Sequence, residues 1–435
     1  MSQKKQKKKD RGNKLNVFYE DILVGELLRD SELIYSFSYS NEWMNNPKKF
    51  QLSIAMPFQK EPFGNKITLS FFENLLPEGE ARDALAKSHN LESTFEFLKE
   101  FGKDCAGAVI VTSDSASPLK KSNGKAVKIE LNQIYKAIDQ KRSVAEVIAS
   151  MDPGYLSIAG AQDKFSAIFK EDQFYLPSGG RPTTHIVKVP IYRSEVKESV
   201  YNEYYCMKLA RRVGLNVPEC FIIDNINHPL YVISRYDRFT DNNGSVHRIH
   251  QQDFCQAQGI VSEQKYEDKG GPNIKDNYHL IKTNVTIKKR SSALLNYLDW
   301  ICFNFLIGNN DGHSKNLSFL LNNNKIELAP FYDLMCTAIY PKLKRNFSFK
   351  IGDRDNASRI GKNQLEILDC ELGLKKGTSG KKMLLMIEKL FEHKDALASE
   401  IRSEYPHAKI VKRIAELIRD RSTSLSKQGL TSGSY

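Results

Sequence analysis

Three polar residues in the last third of the sequence have types and a spacing suited to phosphoryl transfer. Asp311 and Asn316 are five positions apart in a loop rich in Asn and Gly, and Asp333 comes after a strand–turn–strand pattern. In the catalytic loop of protein kinases, such an Asp accepts the proton of the acceptor hydroxyl, the Asn binds Mg²⁺, and a later Asp binds the metals at the phosphates. The spacing therefore predicts a Mg-ATP-dependent kinase. Asp, Asn and Gly are also common turn residues, so the spacing alone leaves a purely structural loop as the alternative.

A second group of residues, earlier in the sequence, could bind ATP. Lys188 lies in a strand-like segment between two valines, where kinases carry the Lys that grips the α- and β-phosphates, and Glu203 on the next helix is a candidate partner. The alternative is a Lys that faces solvent from an edge strand. Residues 157–164 form a turn of small residues whose N–H groups could approach phosphates, although the turn matches neither G-x-G-x-x-G nor a Walker A loop. Residues 234–236 end a strand, where a hinge would present backbone groups to adenine.

The elements that must position these residues follow from hydrophobic periodicity. Strands are predicted around residues 16–19, 33–39, 108–112, 165–169, 184–190, 221–223 and 230–234, and helices around 81–88 and 202–213. From residue 291 the pattern becomes helical, with one apolar face predicted to contain Leu294, Leu295, Leu298, Ile301, Cys302 and Phe305. A hairpin at 317–329 with a turn at 322–324 follows, and amphipathic helices are predicted after residue 363.

Composition indicates a globular protein of a reducing cytoplasm. Hydrophobic residues make up 40% and charged residues 27%, and no apolar run approaches the roughly 20 residues that cross a bilayer. The start of the sequence has no apolar secretory segment. The seven cysteines are scattered and never paired as C-x-x-C, which argues against a disulfide scaffold or a zinc ribbon. The net charge of +12 favours acidic partners such as nucleic acid or nucleotide phosphates.

Several motifs resemble the HipA serine/threonine kinases, which are the toxins of bacterial type II toxin–antitoxin modules. The resemblance rests on residues 72–79, 156–164, 185–188, 202–203, 234–238, 250–255, 265–267, 270–272 and 311–316. These motifs stand in the family's order and cover nearly the whole chain after its Lys-rich start. Their combination is much more specific than any one of them.

This resemblance implies an α+β protein with a two-lobed, protein-kinase-like fold, an extra N-terminal β-rich subdomain and a mostly helical C-terminal lobe. The expected parts are a basic flexible tail (1–14), the N-terminal subdomain (15–115), a linker and helix (116–150), the kinase N-lobe with the phosphate loop and the ATP lysine (151–240), and a connecting segment followed by the helical C-lobe with the catalytic loop (241–435).

The resemblance also implies roles for individual residues. Asp311 would be the catalytic base, Asn316 and Asp333 would bind Mg²⁺, and Ser157 matches the serine that the family autophosphorylates. A phosphate on Ser157 would place about −1.5 to −2 charge beside the phosphates of ATP, so repulsion is a physical reason for it to switch the kinase off. ATP would be bound by Ala159, Gly160, Ala161, Gln162, Asp163, Lys164, Lys188, Ser234, Arg235, Tyr236, His313, Ser314, Lys315, Asn316, Tyr332 and Asp333.

The partners implied by the resemblance are a HipB-like helix-turn-helix antitoxin, operator DNA bound through the antitoxin complex, and a protein substrate, but no membrane. The known substrate class of the family is aminoacyl-tRNA synthetases, such as glutamyl-tRNA synthetase, and its phosphorylation would cause growth arrest or persistence. One alternative is a catalytically idle DNA-binding co-repressor. The positive charge favours that role, whereas the retained Asp311, Asn316 and Asp333 argue against it. A small-molecule or lipid kinase that uses the same ATP site is a further alternative.

Overall fold

The computed structural model describes residues 13–121, 126–152, 162–322 and 325–431. Its strands are β1 (Lys14–Tyr19), β2 (Ile22–Arg29), β3 (Tyr35–Tyr39), β4 (Val109–Thr112), β5 (Val127–Ile129), β6 (Lys164–Lys170), β7 (Gln173–Leu176), β8 (His185–Lys188), β9 (Cys220–Ile223), β10 (Leu230–Ser234), β11 (Arg238–Thr240), β12 (Val246–Arg248), β13 (His250–Asp253), β14 (Ser318–Asn322) and β15 (Lys325–Leu328). Its helices are α1 (Asn41–Met44), α2 (Asn65–Phe72), α3 (Gly79–His89), α4 (Thr94–Phe101), α5 (Leu131–Asp139), α6 (Val144–Met151), α7 (Ser199–Arg212), α8 (Phe254–Gln258), α9 (Ile274–Asn284), α10 (Ile287–Ile307), α11 (Lys362–Leu372), α12 (Thr378–Glu404) and α13 (Ile410–Lys427).

Two compact units share these elements. The first unit consists of Met1–Val189, Ser234–Ser262 and Leu320–Asn324, and the second of Pro190–Ile233, Glu263–Phe319 and Lys325–Tyr435, over their described residues. This division cuts the predicted N-lobe after residues 189 and 233, so the predicted domain limits stay predictions. Most of the predicted basic tail, most of the predicted phosphate loop, and positions 323 and 324 of the predicted hairpin turn lie outside the described residues.

The first unit contains a four-stranded antiparallel sheet in the order β3-β2-β1-β4. Alternating apolar side chains of its strands are fully buried, which is the pattern expected of a sheet with one face on a core. The strand predicted at 33–39 begins only at Tyr35, because the Asp30 carboxylate accepts the N–H groups of Glu32 and Ile34 in a turn where Leu33 has a φ of 63°. Strands β5, β7, β6 and β8 of this unit are antiparallel neighbours in that order, with Lys164 opposite Lys188.

The second unit is mainly helical. Helix α7 packs on β9, which pairs antiparallel with β10, and the long helix α12 contacts α7, α10, α11 and α13. The predicted apolar face of α10 is wrong at Leu295, which is 46% exposed. The buried stripe runs instead through Ala293, Tyr297 and Ile301, which lie four residues apart on one side of the helix. Among the described residues, none of the helices is both long enough and apolar enough to span a membrane.

A buried cluster of charged residues joins distant segments of the first unit. The carboxylate of Asp104, which is fully buried, accepts hydrogen bonds from Arg235 (3.1 Å), Arg238 (2.9 Å) and Arg248 (2.9 Å), and from the hydroxyl of Thr183. Burial alone raises the pKa of a carboxyl, but the three guanidinium groups outweigh it and hold the pKa of Asp104 far below its usual range. Asp104 is therefore an anion whose burial depends on these partners.

We expect Asp104→Asn to lower the free energy of unfolding of the first unit by about 3–5 kcal/mol, because it leaves three buried guanidinium groups short of a counter-charge. Urea unfolding measures the loss. Glu130→Gln is the matched control in the same unit, since the side chains of Glu130 and of its partner Lys128 are 58% and 46% exposed, and exposed pairs contribute only about 0–1 kcal/mol. Equal unfolding curves for the two variants would contradict the structural role given to Asp104.

Candidate active site

The predicted catalytic loop begins where helix α10 ends, at Gly308. This residue has a φ of 77° and closes the helix with its N–H on the carbonyl of Phe305 (3.2 Å). A Cβ at this position would lie 2.9 Å from the Cβ of Ala338, so both the backbone conformation and the space favour glycine. The chain then turns sharply into the segment that carries Asp311.

The buried side chain of Asn309 joins the loops of two predicted site residues. Its Oδ1 accepts the N–H of Asp311 (3.1 Å), and its Nδ2 donates to the carbonyl of Asp333 (3.3 Å) and to Oδ1 of Asn304 (2.7 Å). The structure thus brings the Asp311 and Asp333 segments together within the second unit. This role of Asn309 leaves no signal in the sequence, because an Asn beside a helix-ending Gly is equally typical of an ordinary turn.

Asp311 and Asn316 are linked within the loop by a hydrogen bond. The carbonyl of Asp311 accepts hydrogen bonds from Nδ2 of Asn316 (3.2 Å) and from the N–H of His313 (3.0 Å). The carboxylate of Asp311 is exposed, and its Oδ1 accepts the hydroxyl of Tyr266 at 2.6 Å. Because Nδ2 of Asn316 is used within the loop, its Oδ1, which has no hydrogen-bond partner among the residues described, is the atom left to meet a cation.

Asp333 has a backbone conformation that is rare outside glycine. Its φ is 54°, in the left-handed region, which costs free energy and persists only where the surroundings hold it. Asn309 binds its carbonyl, and three residues further on the side chain of Asn202 accepts the N–H of Cys336 (2.8 Å) and donates to its carbonyl (2.9 Å). This segment is therefore fixed at Asp333 itself and again at Cys336, as expected of a residue with a positional task.

The neighbouring residues predicted to bind ATP support the loop from within. The hydroxyl of Ser314 exchanges hydrogen bonds with Asn277 (3.0 and 3.3 Å). The hydroxyl of Tyr332 donates to the carbonyl of Lys315 (2.7 Å) and also contacts the hydroxyl of Ser318 (2.8 Å). These hydrogen bonds all lie within the protein and do not test binding of ATP. The predicted ATP contacts of Ser314, Lys315 and Tyr332 therefore stay predictions.

The oxygen donors of Asn316 and Asp333 fit Mg²⁺. In the described ranges, no three His, Cys, Asp or Glu side chains gather in a way that could hold a metal by themselves. Mg²⁺ sites of nucleotide enzymes do not need such a cage, because one or two protein oxygens suffice when phosphates and water complete the shell. An Asn amide oxygen and one carboxylate are a donor set of that kind.

In the first unit, Lys188 lies on β8 with only 6% of its surface exposed, so the alternative of a solvent-facing Lys is wrong. Glu203 belongs to the second unit, and its pairing with Lys188 stays a prediction. Gln162 donates through Nε2 to the carbonyl of Val189 (2.9 Å). Ser157, Ala159, Gly160 and Ala161 lie outside the described residues, and their predicted roles stay predictions.

Asp163 has a structural task that the sequence did not reveal. Its carboxylate accepts the N–H groups of Val144 (2.8 Å) and Ala145 (3.3 Å) and the hydroxyl of Ser143 (2.9 Å), at the N-terminus of helix α6. Burial raises the pKa of Asp163, while these hydrogen bonds oppose the rise. Since the side chain caps a helix, an ATP contact of Asp163 could come only from its backbone.

The predicted hinge residues are likewise held by the first unit. The hydroxyl of Ser234 contacts Nε2 of His185 (3.2 Å), and Tyr236 donates its hydroxyl to Gln251. Arg235 uses its guanidinium for the buried cluster around Asp104 and its N–H for the carbonyl of Thr184 (2.9 Å). The adenine-binding prediction for Arg235 can therefore rest only on its carbonyl.

Comparison with known proteins shows the family. A model of the HipA-like C-terminal domain matches residues 156–418, and one of the HipA N-terminal domain matches residues 15–112. The chain belongs to the HipA family. A Sinorhizobium fredii protein named "Putative kinase Y4mE" is 32% identical over 365 residues, covering 83% of this chain and 86% of the relative. The serine/threonine-protein kinase toxin HipA of Shewanella oneidensis is 29% identical over 372 residues, covering 83% of each.

A solved structure confirms the predicted fold. A chain in the complex of HipA, HipB and operator DNA from Shewanella oneidensis superposes with a TM-score of 0.77, at 24% identity, over 95% of this chain and 96% of the other. At this identity the match shows the fold alone, which is the predicted α+β, kinase-like fold of the family. The predicted membership of the HipA family is confirmed as well.

Substitution of Asn309 tests whether its hydrogen bonds stabilise the Asp311 and Asp333 segments. We expect Asn309→Ala to lower the free energy of unfolding by about 1–3 kcal/mol, because the N–H of Asp311 and Oδ1 of Asn304 lose a buried partner. Urea unfolding measures the change. Asn296→Ala is the control, since Asn296 is exposed on α10 and such substitutions stay within about 0.5 kcal/mol. If both variants unfold like the original chain, Asn309 does not hold the two loops.

Proposed function

We propose that this protein is a Mg-ATP-dependent serine/threonine-protein kinase toxin of a type II toxin–antitoxin module. The observation that carries the proposal is the Asn309 amide, which joins the segment of an exposed Asp311 to the segment of Asp333. A structural turn would need neither the second Asp nor its left-handed backbone. The names of the relatives support the proposal, since they are called kinases and, in one case, a kinase toxin.

The proposed reaction assigns a task to each group. Asp311 takes the proton of an acceptor serine hydroxyl, whose oxygen attacks the γ-phosphorus of ATP while the bond to the β–γ bridging oxygen breaks and ADP leaves. Asn316 and Asp333 hold Mg²⁺, which neutralises charge on the phosphate oxygens when it is bound. Lys188 and the 157–164 turn bind phosphates, and the backbone of residues 234–236 meets adenine.

The cellular role is proposed along the same lines. The substrate is a protein of the aminoacyl-tRNA synthetase class, such as glutamyl-tRNA synthetase, and its phosphorylation arrests growth or leads to persistence. Phosphorylation of Ser157 switches the kinase off through charge repulsion at the ATP phosphates. A HipB-like helix-turn-helix antitoxin restrains the toxin and carries it to operator DNA. Two observations support this part of the proposal, namely that the matched HipA chain was solved in a complex with HipB and operator DNA, and that the net charge here is +12.

Incubation with [γ-³²P]ATP and Mg²⁺ tests the kinase. We expect label on Ser157 and on a protein of a bacterial lysate. Asp311→Asn should lower both by about 10²–10⁴-fold, the usual contribution of a general base. Asp353→Asn is the matched control, because Asp353 is a half-exposed carboxylate of the same unit whose ion-pair partner is the surface residue Arg354. Binding of trinitrophenyl-ATP should be nearly equal in all three proteins.

Two results would overturn the proposal. One is a wild-type chain that transfers no label to itself or to any lysate protein, and the other is an Asp311→Asn variant that transfers as fast as the wild type. Ser157→Ala should remove the label from the chain while leaving transfer to the lysate protein. If Ser157→Ala still becomes labelled, another residue is autophosphorylated, and the proposed kinase activity is unaffected.

The second candidate function is an idle DNA-binding co-repressor, and the net charge of +12 is the observation that favours it. Under the kinase proposal, a DNA duplex from upstream of the protein's own gene should be retarded on a gel only with the antitoxin partner. That binding should weaken steeply between 50 and about 200 mM salt. Tight binding by the chain alone, together with no phosphate transfer, would favour the co-repressor.

A further inference from the structure

Tyr266 makes a hydrogen bond to the proposed catalytic base, Asp311, although the proposed reaction assigns it no task. It lies in a turn ahead of helix α9, and its hydroxyl donates to Oδ1 of Asp311 at 2.6 Å. Its ring packs edge-on against His313, with ring centroids 5.0 Å apart. In the part of the chain that the structure describes, Oδ2 of Asp311 has no hydrogen-bond partner. One carboxylate oxygen is thus held and the other is open to solvent.

The turn that carries Tyr266 is fixed by its own backbone. The carbonyl of Tyr266 accepts the N–H groups of Lys269 (3.1 Å) and Gly271 (2.9 Å). A Cβ on Gly271 would lie 1.9 Å from the carbonyl oxygen of Gln264, so this close approach requires glycine. The turn thus has a tight backbone conformation that requires glycine at position 271, and it places the hydroxyl of Tyr266 next to Asp311.

Side chains anchor the same turn to a second segment of the unit. The carboxylate of Glu267 accepts the N–H of Lys350 (2.8 Å), and Asp268 pairs with Lys344 at 2.6 Å. Burial raises the pKa of Glu267, which the Lys350 N–H partly offsets. These two contacts hold the turn, so its backbone can move away from Asp311 only if they break.

Three ammonium groups surround the ring of Tyr266. Those of Lys344, Lys265 and Lys269 lie 5.2, 5.5 and 5.7 Å from its centroid, within the range of cation–π attraction. Cations at this distance withdraw electron density from the phenol and make its O–H a stronger donor. A strong donor to an anionic oxygen makes a short, charge-assisted hydrogen bond, as the 2.6 Å distance to Asp311 indicates.

We propose that Tyr266 is a positioning residue for phosphoryl transfer, which fixes Oδ1 of Asp311 and leaves Oδ2 to take the acceptor's proton. This inference rests on the proposed kinase function. An exposed carboxylate otherwise turns freely about its side-chain bonds, and such freedom lowers the fraction of molecules ready to react.

The same contact could instead block the acceptor, since a phenol on the base occupies space near it. Two observations favour positioning. Oδ2 of Asp311 lacks a partner within the described ranges, and the Tyr266 turn is anchored at Glu267 and Asp268 rather than poised to leave. Removal of the Tyr266 hydroxyl would slow phosphoryl transfer if the phenol positions Asp311 and would speed it if the phenol blocks the acceptor, so the rate distinguishes the two roles.

Tyr266→Phe tests the proposal in the full chain, because it keeps the ring on His313 and removes only the donor. With [γ-³²P]ATP, kcat should fall about 10- to 100-fold, the factor that corresponds to a lost hydrogen bond to a charged group. KM for ATP should stay within about twofold, since the phenol acts on the base and not on nucleotide binding.

Tyr278→Phe is the matched control. Tyr278 is a buried tyrosine of α9 in the same unit, and its hydroxyl makes no hydrogen bond to the described residues. It should keep the wild-type kcat and KM for ATP. The positioning role is overturned if Tyr266→Phe equals the wild type, if it is faster, which would indicate a blocking phenol, or if kcat falls together with a lowered melting temperature and a KM for ATP raised more than about twofold. A wild-type chain without transferase activity would instead refute the kinase proposal and this inference with it.

Discussion

A single buried amide, that of Asn309, is the constraint on which the acidic site depends. Only a side chain with an acceptor and a donor at its tip can take the N–H of Asp311 and give to the carbonyl of Asp333. A carboxylate would lack the donor, and an aliphatic residue would leave both backbone groups without a partner at a cost of about 1–3 kcal/mol. The bridge also holds Asp333 in its left-handed backbone, so the two acidic segments form one unit of structure.

In the first unit, too, a buried polar side chain joins segments that are distant in sequence, but here the partners carry full charges. Asp104 gathers Arg235, Arg238 and Arg248 from a segment more than a hundred residues away in sequence, and the carboxylate of Asp237 supports two of these guanidiniums. The motif at residues 234–238 thus contains the ATP hinge predicted at 234–236, yet its charged side chains are used to fold the unit. Resemblance to a family identifies such residues as important but does not separate binding from folding.

Periodicity predicted the elements well where one face of a segment is buried. It failed at Leu295, because Tyr297 and Ala293 decide which side of α10 turns inward, and at Leu33, because a turn with positive φ delays β3. Spacing placed Asp311 and Asn316 in one loop, where the structure has a hydrogen bond between them. It could not predict contacts of polar residues far apart in sequence, such as Tyr266 with Asp311, since single polar side chains leave no periodic signal.

Under the proposed kinase function, the geometry of Asp311 gives those distant contacts a purpose. Positioning supplies most of the catalysis in this chemistry, yet a base that must meet a protein substrate has to be exposed and is therefore poorly packed. The protein fixes the backbone of Asp311 through Asn309 and Asn316, and it fixes the carboxylate through Tyr266. Each contact restrains a different rotation, and together they order a solvent-facing side chain without burying it, which leaves the second oxygen accessible to an acceptor.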